Sequence, residues 1–203
     1  MKKISILSAL IYSFVLSANA QDNHASGQNS GSSKNSMFLG TGMSSSAHHN
    51  VGIGLSNVIA LSFVSSGGST GGAVYMPLTS VSDYNNGVSS EVQQLKVESN
   101  REFNVTVNTN SPKFTYSGNV SPAPNVPVDQ VLALKVIANA TGGAIASVFN
   151  NISGALSNMT QNLVSNGATG GHQIFSVQYK TTPGISFPSG TYSVAVVYTA
   201  SQK

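Results

Sequence analysis

The chain has 203 residues, no cysteine and only 7% charged residues, against about 25% in ordinary soluble domains. The lack of cysteine excludes disulfides, thiolate chemistry and cysteine-ligated metal sites. A formal net charge of +3, without a basic stripe, argues against a nucleic-acid partner. Past the N-terminus, no stretch is apolar for the ~20 residues that a membrane helix needs, so we expect no membrane span.

Residues 1–20 have the three parts of a secretory signal peptide. Lys2 and Lys3 form a basic start, an apolar stretch runs through 4–16, and Ala18-Asn19-Ala20 is a small-x-small cleavage site. The sequence therefore predicts export to the periplasm, the cell surface or the extracellular medium. Without this peptide the chain keeps 9 − 2 = 7 basic and 6 acidic residues, a net charge of 7 − 6 = +1.

The next thirty residues, 21–50, are rich in Ser, Asn and Gly. Such a composition is typical of a flexible tail or linker, because it offers little apolar surface to bury. The alternative is a detachable segment that docks on a neighbouring subunit. We place the folded domain at 51–203.

The pattern from residue 51 onward is that of β-strands separated by turns. The clearest strand is 102–109, in which Phe103, Val105 and Val107 alternate with polar residues. The short polar link Ser99-Asn100-Arg101 predicts that this strand forms an antiparallel hairpin with the strand before it. The predicted strands are 58–64, 92–98, 102–109, 113–117, 131–137, 173–180 and 191–200.

About seven strands with intervening turns predict an all-β fold, an immunoglobulin-like antiparallel β-sandwich. The Cys…Trp…Cys core of antibody domains is impossible here, since both residue types are absent. The final strand is long and apolar, and we expect it to lie inside a sheet.

One segment, about 143–165, breaks the strand pattern. Its apolar residues recur at spacings of three and four, which favours one face of a helix. We therefore predict a helical insertion that packs on the sandwich. The apolar stripe consists of Ile145, Val148, Phe149, Ile152, Leu156, Met159 and Leu163.

Nothing in the sequence predicts an enzyme. The chain lacks the GxSxG, HExxH, P-loop and dinucleotide motifs. His24, His48 and His49 lie in the tail and His172 in a Gly-rich loop, so we predict no metal site, no cofactor and no catalytic residues. The acids show no paired spacing, and Glu98 and Glu102, which lie beside Lys96 and Arg101, favour surface ion pairs.

The stretches SDYNNGV, LKVESNREFNVTVNTNSPKFTYSG, VLALKVIAN and FSVQYKTTPGISFPSGTYSVAVVYTA resemble secreted bacterial β-sandwich proteins, common in Bacteroidota, of a pilin-like or coat-like kind. The most specific piece is the ending Pro188-Ser189-Gly190-Thr191-Tyr192. The spacing from Gly184 to Tyr198 is similar to that in the last strand of chaperone–usher pilins, although the usual cysteine pair is missing. The resemblance implies a structural or adhesive role.

Two functions follow from these observations. The first is a structural or adhesive surface subunit that assembles with itself through strand edges, as a homo-oligomer or filament. The second is a monomeric module that binds a glycan or cell-wall polymer through exposed aromatic rings. The aromatic residues in or near loops that would serve the second function are Tyr75, Tyr84, Tyr116 and Phe187.

Overall fold

The computed structural model describes residues 45–203. The predicted signal peptide and the part of the predicted tail at 21–44 lie outside the described residues. Residues 45–58 have no regular secondary structure and are exposed. Gly52–Lys203 forms one compact unit. No helix within 45–203 is long and apolar enough to cross a lipid bilayer.

Twelve strands and two short helices make up the described part of the chain. In order they are β1 (Ile59–Phe63), α1 (Val81–Asn86), β2 (Val88–Ser89), β3 (Gln93–Ser99), β4 (Phe103–Thr109), β5 (Thr115–Ser117), α2 (Val128–Val131), β6 (Leu132–Asn139), β7 (Ala144–Ile145), β8 (Gly154–Ala155), β9 (Gln161–Gly167), β10 (Gly170–Thr181), β11 (Thr191–Ser193) and β12 (Val196–Gln202).

The strands form two main antiparallel sheets. The first has the order β1-β3-β10-β6-β8, with β2 also paired to β10. The second has the order β12-β4-β9-β7. A separate two-stranded sheet joins β5 to β11.

A single apolar core lies between the two main sheets. The inward residues of β3, β6 and β10 come from one sheet, and those of β4 and β9 from the other. The strand period of two produces this arrangement, because every second side chain points to the same face. The prediction of an all-β antiparallel sandwich is therefore confirmed. The buried apolar residues include Leu95, Val97, Phe103, Val105, Val107, Leu134, Val136, Leu163, Phe175 and Val177.

The predicted hairpin between the second and third strands is wrong. β3 pairs with β1 and β10, whereas β4 pairs with β12 and β9, so the chain crosses from one sheet to the other between Ser99 and Phe103. The Ser99 hydroxyl donates to the Arg101 carbonyl at 2.7 Å and accepts from the Arg101 N–H at 3.2 Å. These bonds shape the crossover, and the crossover lets the apolar faces of β3 and β4 both point into the shared core.

The predicted helical insertion at 143–165 is also wrong. That region contains β7, β8 and β9 joined by turns. Only some of the apolar stripe is buried, including Phe149, Leu156 and Leu163, whereas Val148, Ile152 and Met159 are exposed. Asn, Ser and Gly in the segment are weak helix formers, and pairing of β9 with β4 satisfies the backbone instead.

The last predicted strand is divided, and it is not inside a sheet. β11 pairs with β5, and β12 lies at the edge of the second main sheet, next to β4 only. The apolar character of β12 is therefore not explained by neighbouring strands on both of its sides. That leaves an apolar, uncharged strand at a sheet edge, which is an unusual position for one.

Candidate functional site

Within residues 45–203, the outer edge of β12 is an unpaired strand edge at the end of the second main sheet. The Asn110 N–H donates to the Ala195 carbonyl at 3.0 Å, and the Lys203 N–H donates to the Glu102 carbonyl at 2.9 Å. Because antiparallel pairs alternate, the odd-numbered residues between these two bond to β4 and the even-numbered ones face away. The backbone groups of Tyr198 and Ala200 therefore point to an edge that pairs with no strand of the described chain.

β12 carries none of the features that usually protect an edge strand. It reads Val-Val-Tyr-Thr-Ala-Ser-Gln, without a charge, a proline or a bulge. Its seven residues make it longer than β1, β7 or β8, the other strands at the ends of the two main sheets. Such an edge is a template for a further strand.

The core is incompletely covered beside this edge. The inward residues Phe103, Val105 and Val107 of β4 are fully buried. By contrast, the inward residues of β12 are only partly buried, although they pack against the core. An additional strand next to β12 would cover them.

A pair of tyrosines holds β12 to the other sheet. The Tyr198 and Tyr179 hydroxyl oxygens lie 2.8 Å apart and share a hydrogen bond. The Tyr198 ring also meets Phe63 of β1 edge-on, with ring centroids 6.2 Å apart. Burial, and then the neighbouring Tyr179, raise the pKa of Tyr198 well above its usual value. Burial likewise raises the pKa of Tyr179, against the smaller effect of the hydrogen bond.

A hydrogen-bonded corner joins the end of β12 to the start of β1. The Gln202 side-chain amide donates to the Val58 carbonyl at 2.7 Å and to Asn100 Oδ1 at 3.1 Å. The Asn100 side chain in turn accepts from the Val58 N–H at 3.0 Å and donates to the Ser56 carbonyl at 2.8 Å. These bonds hold residues 56–58 against the sandwich, so the segment that precedes residue 56 is attached at a fixed position.

The aromatic residues predicted as ligand contacts do not form one exposed platform. Tyr75 is 79% exposed, but it takes part in none of the ring pairs of the described residues. Tyr84, Tyr116 and Phe187 are partly buried. Tyr116 packs on Tyr192 with centroids 5.1 Å apart, and Tyr84 lies near enough to Tyr192 to contribute to its raised pKa, after burial and Tyr116.

The tyrosine pair Tyr116 and Tyr192 has a structural task. The Tyr116 hydroxyl donates to the Ser189 carbonyl at 3.0 Å, and the Tyr192 hydroxyl donates to the Pro188 carbonyl at 2.6 Å. Gly190 has φ 156° and lies under the Tyr116 ring, where a Cβ would overlap the ring atoms. The Pro-Ser-Gly-Thr-Tyr motif is therefore explained as a turn that is held by hydrogen bonds from two tyrosine hydroxyls.

The remaining polar candidates are dispersed. His48, His49 and His172 are exposed, and His24 lies outside the described residues. Within 45–203, no three His, Cys, Asp or Glu side chains are close enough to hold a metal ion. Of the predicted surface ion pairs, the one between Lys96 and Glu98 is confirmed, with Lys96 Nζ 3.1 Å from Glu98 Oε1, whereas Glu102 and Arg101 form no ion pair within 45–203.

Two shallow depressions mark the surface. The first is lined by residues of the β7–β9 region, Val148 and Ile152 among them. The second lies beside the corner and is lined by Val58, Glu98 and Asn100, among others. Neither lining contains a histidine or a pair of carboxylates, so neither has the general acid and base that hydrolytic chemistry needs.

No family model matches this sequence, and a search of curated proteins finds no match to it. The comparisons thus assign no function to the chain, and the geometry of β12 and its surroundings is the feature from which a function can be proposed. The sequence reasoning missed this edge because it placed the last strand inside a sheet. The signal available was composition, since Thr199, Ser201 and Gln202 interrupt the apolar run that is typical of a strand buried on both faces.

Proposed function

We propose that this protein is an exported bacterial subunit, structural or adhesive and pilin-like, that assembles at or outside the cell surface through strand edges. The observation that carries the proposal is the outer edge of β12, which is seven residues long, uncharged and unpaired within the described chain. Strand addition at such an edge supplies main-chain hydrogen bonds, and alternate side chains supply further contacts.

The low charge of the chain supports the same function. A net charge of +1 after removal of the signal peptide leaves little electrostatic repulsion between copies. Ordinary soluble proteins use charged residues at edge strands to prevent association. The absence of charged residues from β12 favours a strand that associates with another chain.

The alternative, a glycan-binding module, has less support. A sugar platform needs ring faces and hydroxyls free for a ligand, whereas the hydroxyls of Tyr116 and Tyr192 are bonded to the 188–189 turn. Tyr75 is exposed, but it is a single ring. We also propose that the protein is not an enzyme and uses no cofactor, because the described histidines and acids are dispersed.

The experiment is a measurement of assembly with and without the β12 edge. The purified exported chain is examined by size-exclusion chromatography with light scattering across a range of concentrations, and its assemblies are imaged by electron microscopy. Ala200→Pro removes a backbone N–H that faces away from β4 and leaves the β4 ladder intact. Ala73→Pro, in an exposed segment without secondary structure, is the matched control.

We expect the native chain and Ala73→Pro to form assemblies that grow with concentration, and Ala200→Pro to remain monomeric. A native chain that is monomeric at every concentration contradicts the proposal. Equal assembly of Ala200→Pro and Ala73→Pro contradicts the role of the β12 edge.

A further inference from the structure

The segment that leads into β1 has the pattern of a β-strand but is not part of any sheet. In Val51–Leu55, which we call the apolar extension, Val51, Ile53 and Leu55 alternate with two glycines. These three side chains are 83%, 84% and 89% exposed. Gly52–Leu55 makes no hydrogen bond to another described residue. The extension therefore has an unburied apolar face, and its backbone at Gly52–Leu55 has no partner among the described residues.

The apolar extension and the β12 edge have complementary requirements. β12 offers free backbone groups at Tyr198 and Ala200 and partly covered apolar side chains on its inward face. The extension offers backbone groups and three apolar side chains spaced by two residues, which all point to one face of an extended strand. Five extended residues span ~16 Å, enough to cover most of a seven-residue strand.

The apolar face of the extension fits the space beside this edge. β1 lies close to β12, where Phe63 meets the Tyr198 ring. A strand added beside β12 must lie near β1 as well. Val51, Ile53 and Leu55 would then face these rings, whereas Gly52 and Gly54 leave the opposite, outward face of the extension without side chains.

We infer that the apolar extension of one copy adds as a strand to the β12 edge of a second copy. The inference rests on the proposed function and names the occupant of its edge. Within the described part of one chain both the extension and the edge lack a strand partner, and a second copy supplies a partner for each. The two surfaces differ, so the contact is heterologous, and repetition of such a contact produces a closed ring or an open filament.

The anchor at the corner makes the extension available to another copy. Asn100 holds the Ser56 carbonyl and the Val58 N–H, and Gln202 holds the Val58 carbonyl. These bonds fix the base of the extension while its apolar residues stay exposed. A strand that is anchored at one end loses less conformational entropy on binding than a free peptide.

The test compares two triple substitutions that remove similar apolar side chains from different places. The first is Val51→Ser, Ile53→Ser and Leu55→Ser in the extension. The second is Val148→Ser, Ile152→Ser and Met159→Ser, a set of side chains 55–70% exposed in the β7–β9 region. Both variants are made in the full exported chain and measured by sedimentation velocity beside the native chain and Ala200→Pro.

We expect the extension variant to associate about a hundredfold or more weakly than the native chain, because three apolar side chains no longer become buried. The β7–β9 variant should assemble like the native chain. If the extension variant assembles normally while Ala200→Pro does not, the inference is overturned and the role of the edge stands. If both triple variants lose assembly equally, nonspecific apolar contact explains it and the inference is also overturned.

Discussion

On one side of the sandwich the edge strands β7 and β8 are two residues long, whereas on the other side β1 and β12 have five and seven residues. The β7–β8 side follows the usual rule that sheets end in short strands and turns, which offer little to an incoming strand. The β1–β12 side does not follow it. The β7–β8 side therefore ends the sheets in the usual protected way, whereas the β1–β12 side leaves a long strand edge available for a partner.

The two sides also differ in where their apolar side chains lie. On the β7–β8 side Phe149 and Leu156 are fully buried and complete the core. On the β1–β12 side the apolar extension is exposed and contributes nothing to the core. We therefore expect substitutions on the first side to affect folding and substitutions on the second to affect association.

The largest predicted effect is on the β7–β8 side. Phe149→Ala should lower the free energy of unfolding by ~3–5 kcal/mol, because it leaves a cavity at a fully buried position. Ile53→Ser in the extension should change it by less than ~0.5 kcal/mol. Urea denaturation of monomeric protein, followed by circular dichroism, measures both, and equal effects would remove the distinction between the two sides.

The next prediction concerns two neighbouring residues of β12. Thr199→Pro removes an N–H from the ladder with β4 and should cost ~1–3 kcal/mol of stability. Ala200→Pro removes an N–H that faces outward and should cost clearly less. Denaturation of the two variants under the same conditions tests the assignment of the open edge. The opposite order would mean that the assigned pairing is reversed.

A smaller effect is expected from the tyrosine pair that holds β12 to the other sheet. In the folded state the pKa values of Tyr179 and Tyr198 lie above the ordinary value of 10.0. Their contribution to stability is therefore fully present below pH 10 and is lost as the pH rises through the folded-state values.

Substitution of both tyrosines by phenylalanine tests this dependence. The double variant should differ from the native chain by less than ~1 kcal/mol at pH 7, since both hydrogen-bonding partners are removed together. Above pH 10 it should lose less stability than the native chain. Thermal unfolding at successive pH values measures the stability of both proteins. If both lose stability equally above pH 10, groups other than these tyrosines cause the alkaline transition.

The smallest effect should come from α1, which belongs to neither side. Asp83 Oδ2 accepts from the N–H groups of Thr79 and Ser80, both at 2.8 Å, and these bonds lower the pKa of the carboxyl. Its contribution is present above pH 3.8 and is lost as the pH falls through the folded-state value. Asp83→Ala should lower stability slightly, because the N-cap loses the acceptor of its capping box, and leave assembly unchanged.

Hydrogen exchange measures this effect locally. The amides of Tyr84 and Gly87 bond within α1 and should exchange faster in Asp83→Ala. Asp83→Asn keeps an oxygen that accepts hydrogen bonds and should change less. Equal exchange in Asp83→Ala and the native chain would contradict the capping role.

Much of the fold could be predicted from alternation alone. Phe103, Val105 and Val107 were assigned to the core by their spacing, and all three are fully buried. Local pattern did not reveal which strands pair, since the link at 99–101 is equally short for a hairpin and for a crossover between sheets. Pairing depends on contacts far apart in sequence, such as that of Phe103 with Gln202.

The helical prediction failed for a related reason. Spacings of three and four at Phe149, Ile152 and Leu156 matched a helix, but the turns between them give similar spacings by accident. The tertiary demand of β4 for a second neighbour decided the structure of Gln161–Gly167. The β12 edge was missed because the last strand was predicted to lie inside a sheet, and Val51–Leu55 was missed because no strand was predicted before residue 58.

The central claim, that the β12 edge of one copy receives the extension of another, is tested most directly by disulfide trapping. The native chain has no cysteine, so Ile53→Cys protein mixed with Ala200→Cys or Val196→Cys protein forms disulfides only at the introduced positions, and a size tag on the Ile53→Cys protein separates the mixed dimer from the two homodimers. We predict a disulfide-linked dimer of the two variants in at least one of these mixtures, and little with Thr199→Cys, whose side chain points outward. Equal yields for the inward and outward positions would contradict the account.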